Sequence, residues 1–124
     1  MIVLDTSVWI GILIKSDFHH LSSRAWYGRW TTNPEPIHLP AICLPEVAGV
    51  LGRAGEPPAA VLKLIDSFEQ RQEIRLHSMD AEFTRFSAEV AVMSKLKGAD
   101  ATFVALAASL AVPLITWDRQ QGER

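Results

Sequence analysis

The chain has 124 residues, a formal net charge of −2 and a hydrophobic content of 48%. This length and composition indicate one folded domain over residues 1–124, and they exclude a disordered or low-complexity chain. The slight negative charge excludes a generally basic surface of the kind that binds nucleic acid through overall charge. The single cysteine, Cys43, cannot form an internal disulfide, and it suits a buried position in a protein of a reducing compartment.

The start of the chain lacks the pattern of a signal peptide, because no basic region precedes the apolar residues 2–4 and Asp5 ends them. The longest apolar segment, residues 103–117, is broken by Pro113 and is too short to cross a bilayer as a helix. We therefore expect a soluble, cytoplasmic protein with no membrane partner.

Predicted strands and helices alternate along the first half of the sequence. Residues 2–4 predict a buried strand, and apolar residues at helical spacing predict helices around residues 8–13 and 21–30. After a loop at residues 33–36, residues 37–44 predict a second strand, and Pro45 suits the first turn of the helix that follows. The apolar stripe of the next predicted helix consists of Val61, Leu64, Ile65 and Phe68.

The alternation continues through the second half. Residues 73–77 predict a third strand, and Ser78 or Asp80 can cap the helix after it. The predicted buried seam of that helix consists of Phe83, Phe86, Val90 and Met93. A linker at residues 95–99 leads to an alanine-rich helix over residues 100–111 and a last strand over residues 113–117. Strands alternating with helices predict an α/β fold with a mostly parallel central sheet flanked by helices.

Four carboxylates lie where these predicted elements begin or end. Asp5 and Asp118 follow the first and last strands, whereas Glu46 and Asp100 open helices. Because the carboxyl ends of parallel strands and the helix starts beside them line one crevice, we expect the four side chains to converge. Two such charges repel by on the order of 4 kcal/mol at about 4 Å in a surface-like dielectric. A hard divalent cation with oxygen ligands relieves that repulsion, so the pattern predicts a metal site.

Each of these acids also has an ordinary structural explanation. Glu46 and Asp100 suit the first turn of any helix, where the helix dipole favours an anion, and an aspartate after a strand is common in turns. Asp100 shares its helix face with apolar residues such as Phe103 and Ala107, which directs it towards the protein interior. The shared placement of all four acids favours a joint site over four separate explanations.

Four stretches carry a resemblance to a known family. They are residues 2–9 (IVLDTSVW), 45–51 (PEVAGVL), 97–101 (KGADA) and 114–119 (LITWDR). In this order and over this length they resemble the PIN-domain family of metal-dependent ribonucleases, especially the VapC-type toxins of toxin–antitoxin pairs. The resemblance covers essentially the whole chain and implies a three-layer PIN-like fold. Family members usually continue into a further helix and strand, whereas this sequence stops at Arg124, so we expect the C-terminal edge strand to be missing.

The resemblance also implies a site and an activity. The implied acidic site consists of Asp5, Glu46, Asp100 and Asp118, and its hydroxyl neighbours are Thr6, Ser7 and Thr116. The implied activity is endonucleolytic hydrolysis of RNA phosphodiester bonds, assisted by Mg²⁺ or Mn²⁺. Asp5 and Asp100 are the first choices as metal ligands, and Glu46 and Asp118 would hold a second ion or orient water. The sequence contains no glycine-rich phosphate loop, so we expect no nucleotide cofactor.

Two protein partners follow from the resemblance, a small antitoxin and a second copy of the chain in a homodimer. Independent reasons for the antitoxin are weaker. An acidic crevice attracts a lysine or arginine side chain, and the helices over residues 9–30 and 47–68 carry apolar side chains for a groove that accepts a partner helix.

Two other functions remain open at this point. Phosphotransferases of the haloacid dehalogenase type also place an aspartate after the first strand, but they require a second aspartate two residues later, where this chain has Ser7. The other possibility is a PIN-like fold that binds without catalysis, which the retention of four acids argues against.

Overall fold

The computed structural model describes residues 1–118, and residues 119–124, with the motif residue Arg119, lie outside the described part of the chain. The described residues form four strands and six helices. In chain order they are β1 (Ile2–Leu4), α1 (Thr6–Leu13), α2 (His20–Thr32), β2 (Ile37–Pro40), α3 (Cys43–Arg53), α4 (Pro58–Gln70), β3 (Ile74–His77), α5 (Ala81–Ser94), α6 (Gly98–Leu110) and β4 (Leu114–Ile115).

The four strands form one sheet in the order β3-β2-β1-β4, and every neighbouring pair is parallel. The six helices flank this sheet, so the predicted α/β fold is confirmed. Because the strands all run in one direction, their carboxyl ends meet at the same edge, with β1 between β2 and β4. None of the described helices is long and apolar enough to cross a membrane.

The core is built on the two central strands. Val3 and Leu4 of β1 and Ile37 and Leu39 of β2 are fully buried, which is typical of parallel strands covered on both faces. Helix α6 packs against these strands and against α5, and its Phe103 is also buried. The remaining helices pack in sequence, α1 against α2 and α3, and α3 against α4.

The second predicted strand was too long. It ends at Pro40, and residues 43 and 44 already belong to α3. Pro45 lies in the first turn of that helix, as predicted. A continuous apolar run such as residues 41–44 fits a buried strand and a buried helix equally well. The turn is fixed by Leu44 N, which donates to Ala41 O at 3.2 Å.

Three further details differ from the prediction. Met93 is 83% exposed, whereas the small polar residue Ser87 is buried. The buried face of α5 therefore includes Ser87 and not Met93, which the hydrophobicity pattern alone does not reveal. Helix α6 begins at Gly98, two residues before Asp100. The last strand comprises only Leu114–Ile115, because the next residues leave the sheet for hydrogen bonds with the end of β1.

Two histidines on adjacent strands form a pair in which His38 is buried and His77 is half-buried. His38 Nδ1 of β2 lies 2.7 Å from His77 Nε2 of β3, so one ring donates its N–H and the other accepts it. Burial lowers the pKa of both rings, and the charges of His77, Arg75 and the N-terminus lower the pKa of His38 further. Within residues 1–118, the buried His38 Nε2 has no hydrogen-bond partner.

We expect this pair to make the protein less stable in mild acid. Both folded-state pKa values lie below the ordinary value of 6.5. Below about pH 6.5 the unfolded chain therefore binds protons that the folded chain does not, and the free energy of unfolding falls. Urea denaturation at about pH 7.5 and about pH 5.5 should show a smaller pH-dependent loss for the His38→Gln/His77→Gln double variant than for the wild type. Equal losses in the two proteins would contradict the assignment.

Candidate active site

Asp5 occupies the carboxyl end of the central strand β1 and is only 4% exposed. It is also the N-cap of α1, where its side chain accepts from Ser7 N. Its Oδ2 accepts three hydrogen bonds, from Ser7 N at 3.3 Å, Ser7 Oγ at 2.7 Å and Thr116 Oγ1 at 3.0 Å. Since Oδ1 takes part in none of these bonds, Asp5 is held rigidly by one oxygen while the other can face a ligand.

The segment after β4 is tied to Asp5 by hydroxyl groups. Thr116 Oγ1 donates to Asp5 and accepts from Asp118 N at 2.9 Å, and Trp117 N donates to Ser7 Oγ at 3.2 Å. Because β1 and β4 are parallel neighbours, these bonds join the carboxyl ends of the two strands. The half-buried Asp118 is thereby placed at the same sheet edge as Asp5.

Thr6 brings the third acid to the same edge. Its Oγ1 donates to Glu46 Oε1 at 2.8 Å, which links the start of α1 to the first turn of α3. The same hydroxyl lies 3.6 Å from the sulfur of Cys43, which is fully buried, as expected from the sequence. Burial raises the pKa of the Cys43 thiol to about 12, so it stays protonated at neutral pH and does not act as a thiolate ligand.

The four carboxylates form one electrostatic cluster. Burial raises the pKa of Glu46, the charges of Asp5 and Asp100 raise it further, and the hydrogen bond from Thr6 opposes them. Burial also raises the pKa of Asp100, with the charges of Asp118 and Asp5 next and Lys97 opposing. The charges of Asp5 and Asp100 therefore act on Glu46, and those of Asp118 and Asp5 act on Asp100, which links the four carboxylates electrostatically. That they form one site, and their individual roles in it, stay predictions.

The donor set of this cluster fits a hard divalent cation. Within residues 1–118, no three His, Cys, Asp or Glu side chains lie close enough to form a complete cage for one ion. Mg²⁺ does not need such a cage, because it commonly takes one or two protein carboxylates and completes its shell with water and substrate phosphate. Carboxylate oxygens that repel one another in the absence of a cation match this mode of binding.

One support of the site was missed in the sequence. Trp117 Nε1 donates to Oγ of the fully buried Ser23 at 2.8 Å, so α2 holds the segment that carries Thr116 and Asp118. This contact requires α1 and α2 to lie close together at Gly11, where an added Cβ would be 2.1 Å from Ser23 Oγ. A glycine within an apolar helix was the one available signal of such a close approach.

A family model for the PIN domain matches residues 2–123. The chain belongs to the PIN-domain family. The match covers nearly the whole sequence, including all four acids, so the resemblance inferred from the motifs is confirmed at the level of the family. Among curated proteins, none matches the sequence significantly.

Several solved structures have the same fold. The sarcin–ricin-loop-cleaving toxin VapC20 of Mycobacterium tuberculosis has a TM-score of 0.83 at 20% identity, covering 99% of this chain and 94% of that one. FitAcB from Neisseria gonorrhoeae has a TM-score of 0.69 at 22% identity, covering 98% and 90%. VapBC2 from Rickettsia felis, bound to a DNA fragment from its promoter, has a TM-score of 0.70 at 16% identity, covering 99% and 92%. At these identities the likeness establishes the fold.

Neutralising one acid of the cluster should stabilise the metal-free protein. Because the folded-state pKa of Glu46 and of Asp100 is raised, their ionisation costs the folded state free energy at neutral pH, and this cost disappears as the pH falls below their ordinary pKa. We expect Glu46→Gln and Asp100→Asn to raise the melting temperature by about 2–5 °C in a buffer with chelator.

The matched control is Glu82→Gln. Glu82 also lies in the first turn of a helix, but it is exposed and belongs to α5, outside the cluster. Its neutralisation removes a favourable interaction with the helix dipole and should leave the melting temperature unchanged or slightly lower. A fall in melting temperature for both cluster variants would show that repulsion among the acids is not significant.

Proposed function

We propose that this PIN-domain protein is a metal-dependent endoribonuclease that acts in the cytoplasm as the toxin of a toxin–antitoxin pair. The observation that carries the proposal is the cluster of four carboxylates at the carboxyl edge of the parallel sheet, in which burial and the neighbouring carboxylates disfavour the charged forms of Glu46 and Asp100. Such a cluster is costly unless a cation occupies it. Family membership and the fold shared with toxin–antitoxin proteins support the same function.

In this proposal Asp5 and Asp100 hold Mg²⁺ or Mn²⁺, and Glu46 and Asp118 hold a second ion or orient water. When bound, the ion lowers the pKa of a water molecule and neutralises charge on the scissile phosphate. The chain supplies orientation. Ser7 and Thr116 fix one oxygen of Asp5, and Thr6 fixes one oxygen of Glu46, so the second oxygen of each carboxylate is not used by these hydroxyls and can bind an ion.

A cation beside the cluster supports a phosphate substrate. The exposed Lys97 precedes α6 as its N-cap, and its charge acts on the Asp100 carboxylate. It therefore lies at the rim of the acidic site, where an ammonium group can contact a backbone phosphate and offset repulsion between RNA and the acids. Lys95 and Arg53 are also exposed and offer weaker contacts of the same kind.

We expect Asp5→Asn and Asp100→Asn to reduce Mg²⁺- or Mn²⁺-dependent RNA cleavage by at least about a hundredfold, because each deletes a ligand charge with little change of shape. Asp66→Asn, an exposed acid of α4, is the matched control and should keep full activity. Adding Mn²⁺ should also raise the melting temperature of the wild type more than that of Asp5→Asn, since only an ion that binds the folded state stabilises it.

Two outcomes would overturn parts of this proposal. Full activity of Asp5→Asn at low metal concentration would exclude the mechanism. A wild-type protein that binds RNA but cleaves none with either metal would favour the non-catalytic alternative. A phosphotransferase of the dehalogenase type has lost its support, because the chain is a PIN domain and Ser7 uses its hydroxyl to hold Asp5.

We further propose a small antitoxin as partner. Solved relatives of the same fold include a toxin–antitoxin complex from Klebsiella pneumoniae. Here a cavity of about 270 Å³ lies between α3 and α4, lined by apolar groups such as Val61 and the 63% exposed Leu62. A partner helix can pack into this groove while an arginine or lysine beside it reaches the acidic cluster.

Co-expression should test this partner directly. The product of the adjacent reading frame should co-purify with the chain and suppress its RNA cleavage, and Leu62→Glu should weaken the complex by placing a charge in the groove. A protein that is harmless when expressed alone, yet an active nuclease in vitro, would exclude the toxin role but not the nuclease activity.

A homodimer is also proposed. The exposed Val92 and Met93 on α5 support it, and light scattering of the purified chain checks it.

A further inference from the structure

Phe18 is 93% exposed, although it is a large aromatic residue in a chain with an extensive core. It lies in the turn between α1 and α2, and this turn is ordered by its own hydrogen bonds. His19 N donates to Asp17 Oδ2 at 3.0 Å, and Asp17 N donates to Ile14 O at 3.1 Å. The turn therefore presents the ring to solvent in a defined position, and the packing of the fold does not account for it.

Phe18 is the outer member of a column of three aromatic rings. It meets His19 edge to face, with ring centroids 4.9 Å apart and an interplanar angle of 87°. His19 in turn stacks on Trp117 at 4.6 Å and 7°. Trp117 is fixed by its hydrogen bonds to Ser23 and Ser7, so the inner end of the column is rigid.

The inner ring of the column belongs to the segment that carries part of the acidic cluster. Trp117 follows Thr116, which donates to Asp5, and precedes Asp118. Its backbone N–H donates to Ser7 Oγ, the same hydroxyl that donates to Asp5. One short segment therefore connects the carboxylates to an aromatic surface that is exposed at Phe18.

We propose that this aromatic column, formed by Phe18, His19 and Trp117, stacks against an unpaired nucleobase next to the scissile phosphate of RNA. The inference rests on the proposed function and specifies its substrate as single-stranded at that position. Acidic residues repel the phosphate backbone, so binding must come in part from the uncharged bases, and every base has a face that stacks on an aromatic ring. The exposed Lys15 in the same turn adds a cation for an adjacent phosphate.

The first test compares three variants on a short single-stranded RNA that the wild type cleaves with Mn²⁺. Phe18→Leu keeps apolar bulk but loses the aromatic face, and it should raise KM roughly tenfold with little change in kcat. Phe18→Tyr keeps the ring and should retain the wild-type KM. Leu21→Ala is the matched control, because Leu21 is 83% exposed on α2 but outside the column. Thermal unfolding should be the same for all four proteins, since both residues are exposed.

The second test is a double-mutant cycle with RNAs that each lack one base. One abasic position should raise KM roughly tenfold for the wild type and have little further effect on Phe18→Leu. Equal losses in both proteins, an unchanged KM in Phe18→Leu, or equal cleavage of a fully paired duplex would overturn the inference while leaving the nuclease intact. Loss of antitoxin binding in Phe18→Leu with unchanged RNA kinetics would overturn it too and assign the column to a protein partner. A wild type that cleaves no RNA would remove the proposed function and this inference together.

Discussion

The hydrogen bonds to Asp5 Oδ2 are the interaction on which the architecture of this molecule depends. A buried carboxylate at the end of the central strand must be satisfied, and here the donors come from α1 and from the segment after β4. The same bonds that satisfy Asp5 therefore join the end of the central strand to the end of its neighbour. Loss of these donors would leave a buried charge unpaired and would leave the segment that carries Asp118 held mainly by the bond from Trp117 to Ser23.

The acidic edge of the sheet is destabilising, and the apolar centre of the sheet is stabilising. Burial of the carboxylates and the like charges beside them raise the pKa of Glu46 and Asp100 and so oppose folding, and the buried strands β1 and β2 offset that cost through apolar burial. Functional sites often retain locally unfavourable charges, because the surrounding packed structure is stable enough to hold them in place. The hydroxyls of Thr6, Ser7 and Thr116 fix the positions of the Glu46 and Asp5 carboxylates without adding charge.

Most of the helices followed from periodicity, since the apolar residues of α4 recur at helical spacing, and β1 followed from a short apolar run that Asp5 ends. The placement of the four acids followed from topology, because parallel strands bring their carboxyl ends to one edge whatever the side chains are. Residues 41–44 were misassigned because an unbroken apolar run carries no period, and α5 was misaligned because Ser87 is buried despite its hydroxyl. The bond between Ser23 and Trp117 depends on the distance between two helices, which no local pattern encodes.

The strand order has a consequence for the timing of synthesis. The central strand comprises residues 2–4, yet its neighbour β4 is made of residues 114–115 and the last acid of the cluster is Asp118. A chain emerging from the ribosome therefore holds Asp5 and Glu46 long before Thr116 is available to complete the hydrogen bonds of Asp5. Such long-range pairing forms late, because the entropy of closing the chain must be met before the contact exists. The acidic edge is therefore completed only after Asp118 has been synthesised, and until then the nascent chain carries an incomplete site.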